Sequence, residues 1–155
     1  MKPLLSILRR PARLFPVLLM ITTLAGAPPL VAQSAEPLTA MLVLATPEAG
    51  PPDKRLARLE PRLRKIFQFA GYRQLDAARA RVAVPGDTTF TLTDGHRLQV
   101  ALSPADDRKV RAALTFTRGK QTLIRTTLLL QPGVPAILGG PRYRDGTLIL
   151  VVRRG

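Results

Sequence analysis

The chain contains no cysteine and no tryptophan, a single histidine, and ten acidic residues against 24 basic ones. Each shortage removes a class of function. Without cysteine there is no disulfide, no thiolate nucleophile and no Cys-based metal site. With His96 as the only histidine, a His-rich zinc site fails on count. Its position beside Gly95 in an expected hairpin turn predicts a solvent-exposed side chain. Past the N-terminal segment Ser103 is the only serine. It precedes Pro104 and lacks a G-x-S-x-G setting, which argues against a serine hydrolase.

Aromatic residues make up only 5% of the chain, and 15 prolines interrupt it. This combination implies a small core in a turn-rich, β-leaning chain. A length of 155 residues accommodates one domain of ordinary size.

The formal charge of +14 comes mostly from arginine. Such a balance suits nucleic acid, anionic lipid or acidic polysaccharide as a partner. An arginine-rich composition without any ligand explains the same charge equally well.

Residues 1–34 read as a secretory signal peptide. Lys2, Arg9, Arg10 and Arg13 form a positive start, Leu14 to Ala27 an apolar stretch, and Ala32-Gln33-Ser34 a small-x-small cleavage site. The apolar stretch carries Pro16 and is shorter than the roughly 20 residues that span a bilayer. Cleavage near Ser34 would leave a single secreted domain over 35–155, periplasmic or extracellular, with no transmembrane span. The leader holds four of the 24 basic residues and no acidic one, so 20 against ten remain, or +10. The basic character belongs to the domain itself.

Within that domain, Thr39 to Ala45 is a continuous apolar run of strand length. From Lys54 onward Leu56, Leu59, Leu63, Ile66 and Phe67 recur at helical spacing. Arg55, Arg58, Arg62 and Lys65 fall on the other faces and form a candidate basic surface. Pro61 either kinks this helix or begins a second segment.

Beyond Gly71 the period changes to two. Alternation places Phe90 and Leu92 on one face with Leu98 and Val100 across an Asp94-Gly95 hairpin; Leu92 is expected opposite Leu98, and Phe90 opposite Val100. The same parity sets Phe116 opposite Ile124 and Ala112 opposite Leu128. Near the C-terminus, Gly139 to Gly146 reads as a loop between two short strands. In it Gly139 and Gly140 would supply positive φ before Pro141. Arg142, Tyr143 and Arg144 would stand at the tip, able to grip an anionic or planar ligand by pairing and stacking.

Asp87, Asp94 and Asp145 each adjoin a turn glycine, where aspartate stabilises the turn through its own hydrogen bonds. No phosphate loop, metal constellation or catalytic pair emerges. A non-enzymatic chain without metal or small-molecule cofactor is the expectation.

Two resemblances follow from particular residues. Tyr72-Arg73-Gln74-Leu75, together with Ala136 to Tyr143 and Gly146 to Leu150, resembles a group of small secreted bacterial proteins with a C-terminal Gly-Gly-Pro-Arg-Tyr-x-x-Gly-type loop. That likeness implies an exported domain and supplies no activity. Thr126 to Gly140 is similar to a strand-turn-strand segment of outer-membrane secretin pores, over a small part of the chain.

The fold expected is α+β: one N-terminal strand and one amphipathic helix, then an antiparallel sheet or sandwich of about six strands. The function expected is an exported binding or assembly module of the bacterial cell envelope with a protein partner, as an accessory to a secretion or pilus system. The alternative is an electrostatic binder of anionic polymer or membrane surface acting through its Arg-rich helix.

Overall fold

Two different apolar patterns build two different kinds of strand. In the computed structural model, which describes residues 34–155, β1 (Ala35–Thr46) and β8 (Gly146–Arg154) carry unbroken apolar runs through Val43 to Ala45 and Leu148 to Val152, buried at every residue. By contrast β4 (His96–Pro104) and β5 (Val110–Arg118) alternate buried and accessible residues. An alternating strand has one covered face, whereas a continuous run needs cover on both.

The topology supplies that cover. One antiparallel sheet has the order β2-β1-β8-β7, with β2 at Gly71–Ala83 and β7 at Pro135–Tyr143. The other has the order β3-β4-β5-β6, with β3 at Gly86–Thr91 and β6 at Gln121–Leu130. Between the sheets lies the larger core, where Leu38, Leu42, Leu148 and Leu150 of the first sheet share a cluster with Leu98, Val100, Leu114 and Phe116 of the second. Phe116 is fully buried, a transfer from water worth about 1.5–3 kcal/mol.

A smaller core covers the opposite face of the first sheet. There Val43, Ala45, Ile149 and Val151 pack with Leu56 and Leu63, both fully buried. Those leucines come from a 3-10 turn at Lys54–Leu56 and a seven-residue helix, α1, at Glu60–Ile66. β1 and β8 are therefore enclosed on both sides where these residues lie.

The α+β expectation is overturned by this architecture. Eight strands in two antiparallel sheets make up most of the described chain, with little helix beside them. The helical spacing of Leu56 to Phe67 does not produce one long helix, because Pro61 has no N–H to give the preceding turn and its ring would meet that turn's carbonyl. The chain instead closes a 3-10 turn, restarts with Pro61 in the first turn of α1, and leaves the helix at Phe67 in extended backbone.

The Gly139–Gly146 loop is corrected as well. It is mostly strand: β7 continues to Tyr143 through an irregularity between Gly139 and Arg142, and pairs again with β8 at Arg142 and Tyr143. Neither Gly139 nor Gly140 has positive φ; Arg144 does, at 54°. The glycines serve close packing. A Cβ on Gly139 would lie 3.2 Å from the Phe67 ring, and one on Gly140 would lie 3.0 Å from the Leu148 carbonyl oxygen.

Registers agree in part. Phe116 pairs with Ile124 and Ala112 with Leu128, as parity demands. Across the β3–β4 hairpin, Phe90 pairs with Leu98 rather than Val100. The two-residue offset leaves every side chain on its expected face. The leader expected over 1–34 lies outside the described residues, Ser34 excepted. No helix among the described residues is long and apolar enough to cross a membrane.

Candidate functional site

The outer face of the first sheet holds the most promising site. Beyond the rows covered by α1, Thr39 of β1 pairs with Arg79 of β2 on one side and with Arg153 of β8 on the other. Residues paired across adjacent strands point the same way, so one row presents arginine, threonine, arginine on three neighbouring strands. The next row inward pairs Met41 with Val151 and is apolar.

Facing these rows, the segment from the 3-10 turn through α1 contributes Lys54, Arg55, Arg58 and Arg62, with Leu59 among them. Together the sheet and helix enclose a cleft of about 620 Å³. Six of its lining residues are cationic and none is acidic.

Local structure explains why five of the six cations are uncompensated. The acid nearest in sequence, Asp53, is engaged behind them. It caps the 3-10 turn by accepting from the Arg55 backbone N–H at 3.0 Å, from Arg55 Nε at 2.9 Å and Nη2 at 2.7 Å, and from the Gln74 N–H of β2 at 3.0 Å. The Arg55 guanidinium, with those backbone donors, holds the Asp53 carboxyl well below the usual carboxylate range. Asp53 in turn raises Arg55.

The acid of α1, Glu60, accepts from Arg64 Nε at 2.9 Å and Nη2 at 2.7 Å. Lys54, Arg58, Arg62, Arg79 and Arg153 form no ion pair among the described residues. Five unpaired cations on facing walls repel one another, and an entering anion would relieve that repulsion.

Of the four basic residues expected to form a helix face, Arg58 and Arg62 reach the cleft freely. Arg55 lines it but is tied to Asp53 and to the Gln74 carbonyl oxygen at 3.0 Å. Lys65 is exposed outside the lining. Sequence reasoning missed Arg79 and Arg153. Arg79 and Arg81 alternate with small residues in a period-two segment, which is a legible signal for one face of a strand. That this face meets the helix depends on the order of strands in the sheet.

Arg142, Tyr143 and Arg144 are not brought together for binding. Arg142 is exposed on β7, while Tyr143 is 7% exposed. The Tyr143 hydroxyl donates to Asp94 Oδ2, which also accepts from Arg144 Nη2 at 2.9 Å. Arg118 and Arg144 stack over the Tyr143 ring at 5.2 and 5.1 Å from its centre. The hydrogen bond to Asp94 raises the Tyr143 phenol, with burial adding to it, and lowers the Asp94 carboxyl. Asp94 belongs to the β3–β4 turn and Tyr143 to the other sheet, so these groups latch one end of the sandwich.

His96 lies beneath the latch and is fully buried, contrary to the exposed side chain expected of a turn histidine. It begins β4 on the inward parity of Leu98 and Val100. Its ring stacks on Phe116 at 5.3 Å and meets Tyr143 edge-on at 5.5 Å. Nδ1 lies 2.8 Å from the Thr93 carbonyl oxygen, which makes it the protonated nitrogen. Nε2 has no partner.

No group of three or more His, Cys, Asp or Glu side chains among the described residues could hold a metal ion. Compared with known proteins, the chain matches no family model, no curated protein and no solved structure.

Proposed function

We propose that the chain is an exported, non-enzymatic binding module of the cell envelope that takes an anionic ligand into the cleft between α1 and the outer face of the first sheet. The observation that carries this reading is the lining itself: six cations and no carboxylate, with only Arg55 neutralised, by Asp53, and Glu60 paired with Arg64 outside the lining. The sequence allowed a basic helix face to be merely solvated. Convergence of that face with Arg79 and Arg153 from two separate strands favours a ligand site.

The latch around Tyr143 supports no comparable role, because Asp94 engages both the Tyr143 hydroxyl and Arg144, and Arg118 and Arg144 cover the ring.

The test is binding of fluorescein-labelled dextran sulfate as a function of salt. Neutralising four or five anionic groups predicts a log–log slope of about −3 to −4, by analogy with polyanion counterion release. The double substitution Arg58→Gln with Arg62→Gln is expected to weaken binding at least tenfold and flatten the slope. Binding that ignores salt, or that survives the double substitution unchanged, refutes the reading.

A further inference from the structure

The geometry points to a more specific ligand for this cleft: a phosphate monoester attached to an apolar group. This rests on the anion-binding reading above and names the chemistry that would use both kinds of wall.

The polar part is the row Arg79-Thr39-Arg153. Thr39 is the direct cross-strand partner of both arginines. Adjacent strands lie about 4.8 Å apart, so the two arginine Cα atoms stand roughly 10 Å apart across the threonine. Two guanidinium groups can converge over that span on one tetrahedral anion, each offering paired N–H donors, with the Thr39 hydroxyl between them. Neither arginine has an ion-pair partner among the described residues.

The apolar part begins one row further in. Met41 and Val151 are cross-strand partners beneath Leu59, and Pro135 borders Arg153 on β7. Met41, Leu59 and Pro135 are only partly buried. A polymer tract or a flat membrane surface would touch the cations and leave this floor unused. A discrete molecule with a phosphate at one end and a hydrocarbon at the other would cover both. The size agrees, since about 620 Å³ falls within the roughly 300–1,000 Å³ of sites for single small molecules.

Titration calorimetry on the purified protein tests this with soluble probes: dihexanoyl phosphatidic acid below its micelle concentration, glycerol 3-phosphate, and dihexanoyl phosphatidylcholine. The phosphatidic acid is expected to bind at least tenfold more tightly than either of the others, because only it combines a bare phosphate with apolar chains. Arg79→Gln with Arg153→Gln should weaken it at least tenfold while leaving the thermal transition in place, since both side chains are exposed. Met41→Ser should close the gap to glycerol 3-phosphate.

Equal affinity for phosphatidic acid and glycerol 3-phosphate, or indifference to the double substitution, overturns the assignment. If dextran sulfate binds in a salt-dependent manner and phosphatidic acid does not, the specific ligand falls and the anion-binding function stands. Failure of both removes both. Vesicles of phosphatidylcholine with and without phosphatidic acid then separate the sources: capture by the acidic vesicles assigns a membrane lipid, and binding of the soluble probe alone assigns a free amphiphile.

Discussion

Replacing Asp53 with alanine isolates the device that holds the helical wall of the cleft against the sheet. Asp53 makes four hydrogen bonds, and its side chain is only 10% exposed. Loss of its bond to the Arg55 N–H removes a helix-type cap, about 1 kcal/mol. Loss of its bond to the partly buried Gln74 N–H leaves that donor unpaired, about 1–2 kcal/mol. The two bonds to the Arg55 side chain add little, because that guanidinium is more than half exposed. The expected loss is therefore about 2–3 kcal/mol. Asp53→Asn, which keeps one acceptor oxygen, should lose about half as much.

Urea unfolding at pH 7 measures both variants, with an unchanged slope showing that the unfolding reaction is the same. The pH dependence gives a second measurement. Asp53 has a folded pKa below its unfolded value of about 3.9, so its contribution is complete above that pH and is lost as pH falls through the folded value. The stability gap between wild type and Asp53→Ala should shrink steadily below about pH 4. A loss under about 0.5 kcal/mol at pH 7, or a gap constant from pH 6 to pH 2, refutes the pinning role.

Gly146→Ala should destabilise the domain by at least about 2 kcal/mol in the same assay, because the added Cβ runs into the Ala45 carbonyl oxygen of a central strand. Tyr143→Phe removes the hydroxyl that lowers Asp94, so NMR titration should find that carboxyl shifted up towards the ordinary range. His96→Ala opens a cavity beside Phe116 and should cost about 2–4 kcal/mol, read from thermal unfolding.

Much of the second sheet was legible because its physics is local. A strand with one wet face must alternate, and alternation fixes which side chains share a face, so Phe116 with Ile124 was one permitted pair; registers two residues away were equally permitted, and Phe90 takes one of them. The helix was misread for a related reason. Leu56 and Leu63 do share a buried face, as helical spacing implies, but burial needs only that both point inward. Two short segments on either side of Leu59 satisfy it as well as one long helix.

The paired glycines misled because permissive backbone and close packing leave the same mark on a sequence; only the neighbours of Gly139 and Gly140 distinguish them. His96 shares the inward parity of Leu98 and Val100, but the adjacent turn glycine pointed to the rim, and a one-residue difference at the end of a hairpin decides between the rim and the interior. As for the cleft, Arg58 and Arg62 were visible on the helical segment. Arg79 and Arg153 were not, because they meet across a strand order that no local pattern encodes.

The double covering of β1 and β8 divides the first sheet's outer face into two zones with different freedoms. Where α1 lies over it, at Val43, Ala45 and Ile149, each side chain answers to a packed neighbour above, and a change is felt as lost stability. At Thr39, Arg79 and Arg153 that cover has ended, and the same strands continue with their outer side chains free of the fold's demands. The proposed site thus lies in the first row that folding leaves unclaimed, so substitutions at that row would alter what the cleft admits while the two cores stay as they are.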